Sequence, residues 1–306
     1  MSEHVLALKG LGKDYGARKA VDAIDLDVKR GEIFGLLGPN GAGKTTTISM
    51  ACGVVAPTRG RAAVDGHDIV DDKFAARRAI GLVPQDLALY DELSPRQNLT
   101  FFAQLYGLAG TELASRVDWA IGVAGLADRA GDLVKTFSGG MKRRLNLACG
   151  MIHKPTLLVC DEPTVGVDPQ SRRHIFDSIK RLRDDGMTVL YTSHYMEEVE
   201  ELCDRVAIMD AGKIVACGSI AELTTAHGGG GIEVEVGGDD AIVEAAARAA
   251  GATRAGSLLH LDPRDTWAPA ITAIEGAGAT IKRLGARRAD LETVFLALTG
   301  RGLRDS

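Results

Sequence analysis

The chain has 306 residues, 45% hydrophobic and 25% charged, which is enough apolar material for one large domain or two unequal ones. Its formal net charge is -5 and its pI is near 5.8, so the bulk charge does not favour duplex binding and no nucleic-acid partner is expected. The longest apolar runs, such as Ile33 to Leu37 and Leu157 to Cys160, fall far short of the ~20 residues a spanning helix needs, and the opening MSEHVLALKG lacks an apolar signal region, so a membrane role is expected only through a partner.

Along the chain, the alternation in VLALKG and AVDAIDLDVKRGE predicts antiparallel strands with turns at Gly16 and Gly31. A short buried strand at Ile33 to Leu37 precedes a glycine-rich loop and a helix from Lys44 to Cys52. Strand character returns over Arg61 to Ile69 and Ala79 to Pro84. From Gln85 to about Lys154 the periodicity is helical, with Leu99, Phe102, Leu105 and Tyr106 expected on one face. The apolar runs Thr156 to Cys160, Met187 to Thr192 and Val206 to Met209 suit buried parallel strands, with helices at Ser171 to Asp185 and Met196 to Leu202. Glycines 228 to 231 break the pattern. Beyond them a smaller α/β pattern is expected: strands Ile232 to Val236, Ser257 to Leu261 and Thr280 to Leu284, and helices Ala241 to Ala250, Thr266 to Gly276 and Asp290 to Leu298. Cys52, Cys149, Cys160, Cys203 and Cys217 stand singly without CxxC spacing and read as reduced, buried and inert, and the acidic run Glu197 to Glu201 reads as a solvated helix face.

Two motifs carry chemistry. The loop Gly38, Pro39, Asn40, Gly41, Ala42, Gly43, Lys44, Thr45, Thr46 lies between a strand and a helix. Its backbone N–H groups and the helix N-terminus can cradle a phosphate chain, Lys44 can reach the β- and γ-phosphates, and Thr45 can ligate Mg²⁺. The strand LLVC delivers Asp161 and Glu162 to a sheet edge, where Asp161 would hold Mg²⁺ through water and Glu162 would polarise an attacking water. The pair predicts binding and hydrolysis of ATP.

With these residues quoted, roughly the first three-quarters of the chain resembles an ATP-binding-cassette (ABC) ATPase. The family's signature segment is matched by Phe137, Ser138, Gly139, Gly140 and Met141, with Met141 where Gln is usual. The resemblance implies that this segment closes on ATP held by a second subunit. It implies that Tyr15 stacks on adenine and that Gln85 senses Mg²⁺ and the attacking water. It further implies that Asp168, in Val165-Gly166-Val167-Asp168, serves communication between subunits, and that His194 contacts the γ-phosphate. The implied fold is a P-loop NTPase core, a mostly parallel sheet flanked by helices, with an antiparallel β subdomain. The nucleotide-binding domain is expected over 1–226 with a helical insertion at about 86–154, then a linker at 227–231 and a small α/β domain at 232–306.

The tail Asp290-Leu-Glu-Thr-Val-Phe295-Leu-Ala-Leu-Thr-Gly300 and the stretch Val165 to Arg173 are similar to ATPases of the daunorubicin-exporter branch. That resemblance implies a peripheral subunit at the cytoplasmic face of a bacterial membrane. It would be bound to a separate polytopic permease, with some of Leu87, Leu89, Tyr90, Phe101, Phe102 and Tyr106 lining the groove for it. A homodimer is expected, because one chain carries every motif for two active sites. The rival readings are a non-transport cassette ATPase of translation or DNA repair and a module that binds ATP without turning it over. The first would bring a second cassette or a long coiled-coil insertion, and intact Lys44, Asp161, Glu162 and His194 argue against the second.

Overall fold

The computed structural model describes residues 3–227, 231–261, 266–287 and 290–299. The centre of the expected glycine linker, 228–230, and Gly300 with the residues after it lie outside the described residues. Contacts divide the chain into two compact units, one reaching Ser219 and the other starting at Ile220.

In the first unit, β1 (His4–Tyr15) and β2 (Arg18–Lys29) form a hairpin turning at Gly16, whose φ of 62° is open to glycine without steric cost. The strand β3 (Ile33–Leu37) is buried at every position and feeds α1 (Lys44–Ala51). Next come β4 (Arg59–Val64), β5 (His67–Asp68), α2 (Lys73–Arg78) and β6 (Ile80–Val83). Three helices fill the insertion: α3 (Pro95–Leu105), α4 (Gly110–Ala124) and α5 (Gly139–Met151). The first is opened by a capping box in which Gln97 N–H donates to Ser94 Oγ over 3.2 Å and Ser94 N–H donates to Gln97 Oε1 over 2.8 Å. The unit closes with β7 (Leu157–Asp161), α6 (Pro169–Asp184), β8 (Thr188–Ser193), α7 (Met196–Leu202), β9 (Arg205–Asp210) and β10 (Lys213–Ser219).

Two sheets result. The antiparallel one has the order β2-β1-β4-β5, and the core sheet has the order β10-β9-β3-β8-β7-β6. In the core sheet β9, β3, β8, β7 and β6 run parallel and only β10 is antiparallel. Parallel strands need cover on both faces, which is why β3, β7 and β8 are buried throughout. Because they share one direction, the carboxyl ends of β3, β6, β7 and β8 lie at one edge of the sheet, the edge that carries ligands in open α/β sheets.

The second unit begins with α8 (Ile220–His227), followed by β11 (Gly231–Gly237), α9 (Asp240–Ala250), β12 (Thr253–Ala255), β13 (Leu258–Leu261), α10 (Ala268–Gly276), β14 (Thr280–Arg287) and α11 (Leu291–Thr299). Its antiparallel sheet has the order β12-β13-β11-β14, which with the βαββαβ succession is a split βαβ arrangement. Val234, Val243, Ala246, Leu259 and Ile274 form its core, while α8 packs on α11. Residues 220–226 thus belong to the second unit, although the sequence reading assigns them to the first.

Other readings are corrected by the structure. The elements α2, β10, α8 and β12 have no counterpart in the sequence reading; all are short or lie at a sheet edge. On α3, Leu99 is buried but Leu105 is 66% exposed, so the two do not share a face. Four cysteines are buried and Cys217, on β10, is exposed. Burial pushes the Cys52 thiol up to about 12 and those of Cys149, Cys160 and Cys203 higher still, which keeps them protonated and unreactive. Glu198, inside the acidic run, is only 3% exposed.

Candidate functional site

Gly38 follows β3, and the loop it opens turns through Gly41 and Gly43, whose φ values are 80° and 105°. Gly43 caps α1, and a Cβ there would stand 2.6 Å from the Ala20 carbonyl oxygen, so both conformation and space demand glycine. The next residue, Lys44, is 5% exposed and turns back over its own loop. Its Nζ donates to Gly38 O over 2.7 Å and to Pro39 O over 3.2 Å, and lies 3.4 Å from Glu162 Oε1. Burial lowers the Lys44 ammonium, and the Glu162 carboxylate works in the opposite direction.

Glu162 is the meeting point. Gln85, two residues past β6, donates from Nε2 to Glu162 Oε2 over 3.5 Å. His194, one residue past β8, places Nδ1 3.2 Å from the same oxygen. Glu162 itself is 7% exposed and sits at φ 46°, a left-handed conformation unusual for a side chain of its size. Its backbone N–H donates to Thr192 Oγ1 over 3.0 Å, and that hydroxyl donates to Asp161 Oδ1 over 2.7 Å. Thus residues from four separate strand ends converge, as the parallel sheet requires. Desolvation raises the Asp161 carboxyl, hydrogen bonds from Thr192 and Thr45 lower it, and Glu162 adds to the rise.

An open pocket of about 360 Å³ lies over these groups, lined by residues that include Tyr15, Arg18, Asn40, Lys44, Gln85 and Glu162. Tyr15 is 51% exposed, with Lys13 Nζ 5.3 Å from its ring centroid. Thr45 and Thr46 also line the pocket, as do Pro39, Gly41 and Gly43, while Ala42 is buried beneath it. The Thr45 hydroxyl, the Asp161 carboxylate and the Gln85 amide are hard oxygen donors with one carboxylate among them. That donor set suits Mg²⁺ shared with a nucleotide's phosphates rather than a cage built by protein alone. Among the described residues no group of three or more His, Cys, Asp or Glu gathers as a metal site.

The signature segment is elsewhere in the same chain. Ser138 caps α5, accepting from Met141 N–H over 3.3 Å, and Asp168 caps α6, accepting from Ser171 N–H over 2.9 Å. The cap bonds from Ser171 hold the Asp168 carboxyl below its ordinary value. Ser138 and Asp168 line a second, polar pocket with Arg144, Gln170, Ser171 and His174, and share no residue with the first. Gly139 is exposed, Gly140 is buried against α6, and Met141 is half-buried.

Three contributors went unread in the sequence. Arg18 stands between Tyr15 and the phosphate loop in the pocket wall. Thr192 joins Asp161 to Glu162. Arg143 donates to the Gln85 carbonyl and, over 3.3 Å, to the Val165 carbonyl, so the helix behind the signature grips both neighbouring loops. A usable signal existed only for Arg143, which lies in the basic turn directly after the signature.

The ABC transporter family profile matches residues 21–165. The linearmycin resistance ATP-binding protein LnrL of Bacillus subtilis is 42% identical, over 98% of this chain and 100% of its own. The daunorubicin resistance ATP-binding protein DrrA3 of Streptomyces coeruleorubidus is 40% identical, over 98% of this chain and 97% of its own. Among solved structures, an ATP-binding subunit of an ABC transporter superposes with a TM-score of 0.68 at 29% identity, covering 73% of this chain and 93% of that one. The dimeric bacterial ABC transporter cassette MJ0796 superposes with a TM-score of 0.64 at 25% identity, covering 70% of this chain and 98% of that one. Identity of this order across the whole of both chains, over a phosphate loop and an Asp-Glu strand end set around one pocket, means that the protein belongs to the ABC transporter family as an ATP-binding, ATP-hydrolysing subunit.

Proposed function

We propose that the chain powers export of a drug, lipid, polysaccharide or ion through a separate membrane permease, working as a homodimer that ATP closes and hydrolysis opens. The observation that carries this reading is the convergence of Lys44, Gln85 and His194 on the Glu162 carboxylate, at the wall of the pocket that Lys44, Gln85 and Glu162 line. In this reading Lys44 leaves the Gly38 and Pro39 carbonyls for the β- and γ-phosphates, and the backbone of Gly41 to Thr46 cradles them. Tyr15 stacks on adenine. Thr45 and Asp161, with Gln85 near, would hold Mg²⁺, which would supply charge neutralisation at the phosphates. Glu162 accepts the proton of the attacking water, and His194 orients the γ-phosphate.

Ser138, Gly139, Gly140 and Met141 complete the site of a second copy. Their separation from the Lys44 pocket within one chain supports this assignment, because a single copy leaves both half-sites open. Asp168 lies at the same face and reports closure to the partner.

Attachment to the permease is supported by apolar surface on the insertion. Leu87 and Tyr90 are exposed, and Tyr90 and Phe102 flank Phe101 with ring centroids 4.9 and 5.5 Å away. Phe74 on α2 is 77% exposed. Among the described residues no helix is long and apolar enough to cross a membrane. The proposed place, the cytoplasmic face of a bacterial membrane, held by the permease, rests on the bacterial resistance proteins to which the chain is similar. The export direction and the drug among these substrates rest on the same resistance proteins.

The test is Glu162→Gln. Phosphate release should fall on the order of 10²-fold or more, while size-exclusion chromatography still shows dimers that depend on ATP. Turnover at the wild-type rate would remove Glu162 as the base. Co-purification of the tagged chain with a polytopic membrane protein tests the partner.

A further inference from the structure

Behind the site lies a second carboxylate that the catalytic scheme does not use. Glu198 on α7 is 3% exposed, and its ligands come from several different segments. Thr164 Oγ1 is 2.9 Å from both of its oxygens. Tyr191 OH donates to Oε2 over 2.9 Å, and Ser193 Oγ donates to the same oxygen over 2.8 Å. Arg172 Nε on α6 forms an ion pair with Oε1 at 3.3 Å. Burial pushes the Tyr191 hydroxyl well up, so it keeps its proton and remains a donor.

The identity of these ligands is what matters. Thr164 sits in the loop from Glu162 to Asp168, two residues from the proposed base and four from the residue that caps α6. Ser193 is the neighbour of His194, and its Oγ also accepts from Tyr195 N–H over 2.9 Å. The Tyr195 ring lies 4.1 Å from the His194 ring and 5.8 Å from the Arg172 guanidinium. Three hydroxyls bring three protons, and only a carboxylate can accept all of them. A buried group with this many partners fixes their relative positions, and a half-satisfied version of it is costly.

We propose that Glu198 is a positioning residue for ATP turnover, locking the loop that carries Glu162 and Asp168 to the strand end that carries His194 so that the two shift as one. The inference rests on the roles given above to His194 and Asp168. It makes the γ-phosphate contact and the subunit-facing loop two ends of one hydrogen-bonded unit.

The experiment uses the purified full-length chain and its Glu198→Gln variant. Gln keeps the shape but offers one acceptor oxygen and turns two N–H donors toward hydroxyls. The expected result is unchanged affinity for a fluorescent ATP analogue and a kcat lower on the order of 10²-fold, as small misplacements of catalytic groups produce. Wild-type kcat in Glu198→Gln overturns the proposal, and so does a parallel fall of kcat and ATP affinity, which marks general unfolding. Thr164→Val and Ser193→Ala, singly and together, serve where Glu198→Gln folds poorly. Both hydroxyls bond Glu198, so a combined kcat loss smaller than the product of the single losses supports the unit, and a simple product overturns it. His194→Ala is run beside them. A fully active His194→Ala chain sinks the assignment of His194 and this inference with it, whereas an inactive one beside a fully active Glu198→Gln sinks this inference alone.

Discussion

Two adjacent glycines of the signature segment should respond very unequally to the same substitution. A Cβ built on Gly140 would lie 2.1 Å from Ser171 Oγ, 2.6 Å from Ser171 Cβ and 2.7 Å from Asp168 Oδ2, whereas one built on Gly139 meets nothing within 4 Å. The Ser171 hydroxyl can rotate away, but its Cβ moves only with the backbone of α6. Displacing that backbone by most of an ångström disrupts the cap in which Ser171 N–H reaches Asp168 Oδ1 over 2.9 Å. Overpacking costs about 1–3 kcal/mol and a lost N-cap about 1 kcal/mol, so Gly140→Ala should cost about 3 kcal/mol. For a unit of this size that is a fall of roughly 6–12 °C in the melting midpoint. Gly139→Ala should leave the midpoint unchanged within about 2 °C. Thermal unfolding of the two full-length variants side by side is the assay. Equal midpoints would show that α5 and α6 do not approach at Gly140 as described, and that the reasoning from close contact fails.

Tyr15→Ala should weaken ATP binding by the loss of one base–ring stack, about 1–3 kcal/mol or roughly five- to 150-fold in Kd, while Tyr15→Phe binds like wild type; equal losses in a fluorescence titration would argue against stacking. His153 is held low, at about 4, first by burial and then by Arg116 and Arg78, against a hydrogen bond to the Ile80 carbonyl. A histidine depressed in this way binds its proton more readily when unfolded, so its share of stability is present above the unfolded value near 6.5 and is lost as the pH falls toward 4. His153→Phe keeps a ring for the Tyr106 stack, whose centroids are 3.5 Å apart, and removes the titration. The gap in melting midpoint between wild type and His153→Phe should therefore shift against wild type between pH 6.5 and pH 4, and a constant gap would mean that His153 does not titrate in this window.

What could be read from the sequence was local or two-sided. The glycines around Lys44 announce their backbone angles, and β3, β7 and β8 announce themselves because burial on both faces leaves an unbroken apolar run. The convergence on Glu162 follows from four parallel strands ending at one edge, which the order of elements implies but does not dimension. What could not be read depends on distant partners. Glu198 looks solvated beside Glu197 and Glu201, and its burial depends on Thr164, 34 residues away. The helix α8 looks like the end of the first unit because its partner α11 comes some 70 residues later. Edge strand β10 alternates between exposed and half-buried positions, so Cys217 surfaces despite its apolar neighbours.

The left-handed backbone at Glu162 places folding and work in opposition at a single residue. A side chain with a Cβ gives up roughly 1–2 kcal/mol to stand at such a φ, while glycine or asparagine rests there at little or no cost. Variants of this chain sorted for heat resistance alone would drift toward those residues at position 162 and go silent as ATPases. Variants sorted for turnover would keep returning to glutamate. Ala23, Asp65, Lys154 and Ala211 also stand at positive φ, so it is this backbone together with the convergence of Lys44, Gln85 and His194 on its carboxylate that sets Glu162 apart.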